Sequence, residues 1–402
     1  MGTKRHIAGA VVDLIQSLPD GPVLDTFSGM CAVGERLAPA RTLWANDFLV
    51  FPALVARCLF TGASQSPPTD RAMQVFEAPF RRNMEALESR FRSGLVSEER
   101  FLADRSLGWA IKSNTRLPNV ATDEALNAER RRLQRAPATF PYRLASITYA
   151  GGYFGLRQSM EIDSLRFAID NAAAEGRISH TERDWSLIAL GQVASHVNNS
   201  TGHFAQYLKP RIGNLHRILQ KRRRSVLDEF FKALASMSPV GPEEWRKHNA
   251  VFCSDAIGLL RRMRRWKTRP SVVYADPPYS KAQYARYYHV LDVLIEYGYP
   301  AVFGEGRYPA RRPRTMFALE AHVVESIHQL VQSSAELGAS IVLSYPSNGL
   351  LSARGVNPLH IIKRHYRRAD LAFSVNGRHS TFGAPSVGWK IPVRENVYVG
   401  FI

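Results

Sequence analysis

The stretch "SVVYADPPYS", Ser271 to Ser280, limits the fold more than any other segment of this chain. Ser271 to Ala275 has the β-branched and aromatic content of a buried strand, whereas Pro277 and Pro278 lack the N–H groups that a hydrogen-bonded ladder needs. The strand therefore stops at Ala275, with Asp276 as its terminal acid. In open α/β sheets, ligands bind outside the carboxyl ends of the strands, so a strand-end carboxylate held by two rigid prolines is positioned rather than merely exposed. An Asp-Pro surface turn fits the same residues, and the rest of the chain must decide between the two.

A second constellation lies near the other end of the sequence. "PVLDTFSGMCAVGERLA" runs as a short strand through Val23 and Leu24 to Asp25, turns at Ser28 and Gly29, and enters a helix from about Ala32. Strand, small-residue loop and helix make the arrangement in which backbone N–H groups and a helix N-terminus face a ligand. About twenty residues later, "TLWANDF" reads as a second strand ending in Asp47, an acid well placed to hold ribose hydroxyls as in dinucleotide-binding folds. Taken singly, each piece also fits an ordinary packing turn.

With 402 residues, 45% of them hydrophobic, the chain can bury a substantial core in two or three domains or in one interrupted domain. Its formal charge of +18, with a pI near 10.1, calls for a polyanionic partner. Nucleic acid comes first, while a ribosomal or anionic-membrane role stays open on charge alone. Cys31, Cys58 and Cys253 are widely spaced and form no CxxC pair, and the twelve histidines show no HExxH or HxH spacing. We therefore expect no disulfide scaffold, no metal and a reducing, cytoplasmic setting. "MGTKRHIAGAVVDLIQSLPDG" is too short in apolar residues for a signal peptide and reads as an amphipathic helix closed by Pro19 and Gly21. No apolar run is long enough to span a membrane.

Between about 60 and 145, apolar and charged residues alternate with a helical period, and "YFGLRQSMEIDSLRFAIDNAAAEG" extends this as a long amphipathic helix. "SHVNNSTGHFAQYLKPRIGN" is rich in hydrogen-bonding groups: Asn198, Asn199 and His203, with Lys209 and Arg211 beside them, could read base edges or phosphates, or simply form a polar loop. Basic clusters stand at 221–224, which includes Arg222 and Arg223, at 261–269, at 310–314 and at 363–368. Lys281 and Arg286 could also reach phosphate. Such clusters interleaved with aromatics favour a phosphate-contacting surface.

In order and content, "DTFSGMC" at Asp25 to Cys31 followed much later by "DPPY" at Asp276 to Tyr279 resembles the Dam-like class of N6-adenine-specific DNA methyltransferases. The likeness extends to "FCSDAIGLL" from Phe252, "QYARYYHVLDVL" from Gln283 and "IVLSYPSNGLLS" from Ile341. One departure is Cys31, which stands where that family's cofactor loop carries its second glycine. A side chain there is tolerated if its φ is negative and otherwise crowds the loop.

The resemblance implies S-adenosylmethionine as methyl donor and double-stranded DNA as partner. Asp25 would lie near the donor's amino group, Phe27, Ser28 and Gly29 would shape the loop, Asp47 would hold the ribose, Asp255 would accept from the donor's adenine amine, and Lys4 is a further candidate for its carboxylate. Asp276 and the carbonyl of Pro277 would accept the two N–H bonds of the target amine, with Pro278 fixing the geometry and Tyr279 stacking on the base. Ser344 and Tyr345 would wall the base pocket or simply end a strand. Tyr287 and Tyr288 read first as core.

The expected fold is α/β: a Rossmann-like S-adenosylmethionine-dependent methyltransferase sheet built from 1–59 and 245–402, interrupted at 60–244 by a mainly helical target-recognition insertion. A cognate endonuclease or defence-system subunit is an expected partner, and monomeric action the plain expectation. An RNA adenine methyltransferase and a non-catalytic, cofactor- and DNA-binding subunit remain alternatives.

Overall fold

A computed structural model describes residues 4–62, 66–115, 117–120, 122–380 and 390–402. The chain divides into two compact units, Met1–Ala63 with Pro239–Tyr284 and Pro313–Ile402, and Ser64–Ser238 with Ala285–Arg312. The excess of Lys and Arg over Asp and Glu is shared equally between them.

In chain order the strands are β1 (Val23–Asp25), β2 (Leu43–Asp47), β3 (Ala250–Cys253), β4 (Val272–Ala275), β5 (Val302–Phe303), β6 (Tyr308–Pro309), β7 (Ser340–Pro346), β8 (Arg368–Ser380) and β9 (Lys390–Phe401). The first unit holds a seven-stranded sheet in the order β3-β2-β1-β4-β7-β9-β8. Strands β3, β2, β1, β4 and β7 are parallel, and β9 runs antiparallel to both β7 and β8. Strands β1, β2, β4 and β7 are buried along their whole length. Continuous apolar runs such as Val272, Val273 and Tyr274 suit such a sheet, because a parallel strand is covered on both faces and has no solvent side to alternate with.

One face of this sheet packs Leu24, Val273, Ile341 and Leu343 against Leu259, Leu260, Ile327, Leu330 and Ile362. The latter belong to three helices, Ala256–Met263, Val323–Glu336 and Pro358–Lys363, packed side by side in that order. Each fully buried aliphatic side chain here contributes roughly 1.5–3 kcal/mol. The pairing of β1 with β4, in which Asp25 lies opposite Tyr274, brings the amino-terminal and carboxy-terminal motifs to neighbouring strand ends.

Among its described residues the second unit is helical apart from the two-residue pairing of β5 with β6 and two isolated bridges, Ala150 with Phe154 and Ser200 with Tyr207. Its helices start on side-chain caps where the sequence supplies them: Asp123 accepts from Leu126 N, Ser225 from Asp228 N, and Ser179 forms a reciprocal capping box with Glu182. Residues 285–312 belong to this unit, although the sequence reading placed them within the catalytic segment 245–402. The reason is visible in the helix Ala285–Glu296, where Tyr287 to Ile295 are all buried; a helix buried on every side must be wrapped by others. Arg166 closes that helix by donating to Leu294 O and Ile295 O at 2.6 and 2.7 Å. Tyr287 and Tyr288 are core residues in this arrangement.

Candidate active site

Three acids converge because the sheet is parallel: Asp25 ends β1, Asp47 ends β2 and Asp276 follows β4. The loop after β1 is tied at each step to the neighbouring strand ends. Thr26 donates to Tyr274 O through both its N–H (3.0 Å) and its hydroxyl (2.8 Å), and Ser28 N donates to Asn46 O at 2.9 Å. The Asn46 amide donates to Thr26 O and Ser254 O, both at 3.0 Å, which joins the ends of β1, β2 and β3. Sequence reading missed Thr26 and Asn46; their signal is adjacency to Asp25 and Asp47 at strand ends, where a polar side chain faces backbone groups that the ladder no longer pairs.

Asp47 is buried, and its two oxygens accept from Gly29 N (3.0 Å) and Leu49 N (2.9 Å). It thus clamps the β1 loop, and burial still lifts its pKa to about 6. Asp25 is 3% exposed and, among the described residues, receives one bond, from Phe27 N at 3.2 Å. Burial raises it to about 8, the Phe27 N–H opposes the rise, and the nearby Asp276 and Asp47 carboxylates add to it. Among the described residues neither Asp25 nor Asp47 has a Lys or Arg within ion-pair distance. The Ser28 hydroxyl and Asn46 Oδ1 are buried and find no partner there.

Gly29 has φ +50° and Cys31 has φ +64°. The negative φ that would make Cys31 easy to accommodate is not what the backbone adopts: the residue sits, fully buried, in the left-handed region at the start of the helix Ala32–Leu37. An L side chain there costs roughly 1–2 kcal/mol. Burial, reinforced by Asp25, Glu35 and Asp47, keeps its thiol protonated.

Asp276 is half-buried, Pro277 buried, and Pro278 and Tyr279 half-buried. Tyr279 packs against the sheet core and its carbonyl accepts from Leu350 N at 2.9 Å. Phe27 meets Phe317 edge-on at 5.2 Å. Asp255 is exposed and caps its own helix by accepting from Gly258 N at 2.8 Å. Ser344 and Tyr345 are buried; the Tyr345 hydroxyl accepts from Leu351 N, and its ring lies so close to Gly349 that a Cβ there would clash at 2.5 Å. Tyr345 therefore supports a turn. Lys4 opens the turn Lys4–His6, and its side chain lies outside the described residues.

The residues considered for DNA contact separate into two groups. Asn198 and Asn199 are buried, their amides donating to Ser195 O (3.1 Å) and to Leu208 O (2.8 Å). Arg222 is buried beside Glu98 at 3.5 Å and over the Phe101 ring. These three serve the interior of the helical unit, not a surface. Arg286 is half-buried and donates to the Tyr308 hydroxyl, and His203 packs edge-on against Tyr287 at 4.9 Å. Arg211 and Arg223 are exposed, as are Lys209 and Lys281, which reach Glu305 and Glu320.

Among the described residues, no group of three His, Cys, Asp or Glu could hold a metal, and no helix is long and apolar enough to cross a membrane. A seven-stranded, mostly parallel sheet flanked by helices, with acids at its adjacent strand ends, is a Rossmann-like methyltransferase fold. The chain is 25% identical over 217 residues to the type II methyltransferase M.FokI of Planomicrobium okeanokoites, covering 53% of this chain and 29% of that protein. It is 22% identical over 357 residues to the modification methylase StsI of Streptococcus sanguinis, covering 88% and 44%. It is 26% identical over 236 residues to the type II methyltransferase M.CviAII of Paramecium bursaria Chlorella virus 1, covering 56% and 62%. The chain thus spans less than two thirds of each of these relatives. No family model matches the chain. No solved structure matches it.

Proposed function

We propose that this chain transfers a methyl group from S-adenosylmethionine to the N6 amine of an adenine flipped out of duplex DNA, as a modification enzyme of a restriction-modification or defence system. The observation that carries this reading is the β1–β4 pairing, which sets the Asp25 loop beside Asp276 although some 250 residues separate them. The relatives, named as type II methyltransferases and modification methylases, support the DNA substrate.

The cradle after β1 suits the donor chemically. Among the described residues Asp25 is a buried acid with one hydrogen bond and no cation, and the Ser28 hydroxyl and Asn46 Oδ1 await partners. An ammonium and a sulfonium would supply the missing positive charge, and ribose hydroxyls the missing hydrogen bonds. The donor, once bound, provides an activated methyl group on its sulfonium. In this reading Asp25, Ser28 and the Phe27–Gly29 backbone hold it, Asp47 shapes the loop and retains lone pairs for the ribose, and Asp255 serves its adenine ring.

At the end of β4 the carboxylate of Asp276 and the carbonyl of Pro277 accept the two N–H bonds of the target amine. The lone pair of that amine is delocalised into the ring, and two fixed acceptors localise it in the transition state. Pro277 and Pro278 hold the acceptors still, and Tyr279 stacks on the flipped base, a contact worth about 1–3 kcal/mol. Arg211, Arg223 and Lys281 are exposed candidates for phosphate contact.

The test is transfer of labelled methyl from S-adenosylmethionine to duplex DNA and to RNA by the wild type and by Asp276→Ala, with nucleoside analysis of the product. N6-methyladenine in DNA from the wild type, with at least a ~100-fold loss in the variant, is expected. Modified RNA instead, or cofactor binding without turnover on DNA, would overturn the reading.

A further inference from the structure

Two of the basic clusters of the sequence, 261–269 and 363–368, share one end of the sheet. In register, Val273 pairs with Ile341, Ile341 with Gly400, and Gly400 with Ala369, so Arg368 lies level with the first residue of β4. Residues 261–269 run directly into that same end of β4. Both runs therefore sit at the amino-terminal ends of the parallel strands, while Asp25, Asp47 and Asp276 occupy the carboxyl ends. The four residues of β4 alone hold the two ends roughly 13 Å apart.

The two runs follow the outer members of the helix row Ala256–Met263, Val323–Glu336 and Pro358–Lys363. Two helix spacings separate them, roughly 16–20 Å. Cations at helix C-termini offset the macrodipole, but a half-charge per helix accounts for few of them. Arg264 engages Glu336 at 2.9 Å and Arg368 engages Asp370 at 3.1 Å. Arg265, Lys267, Arg364 and Arg367 are exposed and have no carboxylate partner among the described residues. Trp266 packs against Trp44 and Phe252 at 6.1 and 5.6 Å, which fixes the first run to the sheet edge, and keeps 37% of its surface exposed.

We propose that this end of the sheet is a second duplex-binding surface, contacting the phosphate backbone of a DNA segment other than the one presented to the strand-end acids. Two cation runs this far apart are too widely set for one small anion and suit a polymer bearing a charge every ~1.7 Å along its axis. The proposal rests on the DNA reading above for its choice of polyanion. It gives the protein the capacity to hold two duplex segments at once.

The experiment immobilises a short duplex, saturates it with protein, and measures capture of a labelled second duplex as salt is varied. The quadruple variant Arg265→Gln, Lys267→Gln, Arg364→Gln, Arg367→Gln should keep its methyl transfer to a short duplex and lose at least about tenfold in second-duplex capture near 0.1 M salt. The slope of log affinity on log salt should become shallower by up to roughly 3 to 4, at about 0.9 per phosphate contact removed. Undiminished capture by a folded variant overturns the proposal. So does cation-dependent binding to phosphatidylcholine–phosphatidylserine vesicles with no second-duplex capture. Absence of methyl transfer together with cation-dependent duplex capture would defeat the functional reading and leave this surface standing.

Discussion

Asp25 and Asp163 are both fully buried acids, one in each unit, and they are finished differently. Asp163 receives Ala145 N and Ser146 N at 2.8 Å, the Ser146 hydroxyl at 2.7 Å and the Tyr297 hydroxyl at 2.5 Å. Four donors hold its pKa to about 6 against burial, whereas Asp25, with one donor and two acidic neighbours, is driven to about 8. The same contrast extends outward. The helical unit matches its buried charges internally, as in Arg143 with Glu129 at 2.6 Å and Arg166 with Asp170 at 3.0 Å. Among the described residues, the strand ends of the sheet unit leave Asp25 and Asp47 without a cation. A carboxylate completed by its own chain is scaffold; on the function proposed above, the one left incomplete at a strand end is the place for the ligand.

This contrast can be broken by substitution. Asp163→Ala should cost the most, because it strands two backbone N–H groups and two hydroxyls in the interior. We expect a loss of about 3 kcal/mol or more, read as a lowered urea midpoint. Asp25→Asn should have the opposite sign in the unliganded protein. The folded chain keeps the Asp25 proton up to about pH 8, while the unfolded chain releases it near its ordinary value of 3.8. Wild-type stability therefore falls as pH rises through that window, and the amide escapes the fall. Thermal melts should show the variant several degrees more stable at pH 8, with the advantage gone near pH 4. The smallest effect belongs to Cys31→Gly, which removes the left-handed strain and should stabilise the fold by about 1 kcal/mol in the same melts.

How much of this was legible in the sequence follows from what each signal measures. The strand-to-acid transitions at Asp25, Asp47 and Asp276 were readable, because proline, small-residue turns and β-branched runs act locally. Asn198, Asn199 and Arg222 were read as contact residues from their chemistry, which does not report exposure. For Arg222 the spacing did carry a warning: Ile218 and Leu219 lie four and three residues before it, and all three share the buried stripe of the helix Leu215–Arg222. That residues 363–368 lie at the same end of the sheet as residues 261–269 was not legible. It depends on β9 running antiparallel between β7 and β8, a pairing that no local pattern specifies.

The most direct test of the central claim, that the incomplete Asp25 carboxyl marks the donor site, is calorimetric titration of S-adenosylmethionine into wild type and Asp25→Asn from pH 6 to 9. The wild type should bind about tenfold more tightly per pH unit up to about pH 8 and level off above it, because the carboxyl must ionise to meet a cationic ligand. The variant should bind weakly and without that slope. Tight binding by the variant with the wild-type pH profile would contradict the account.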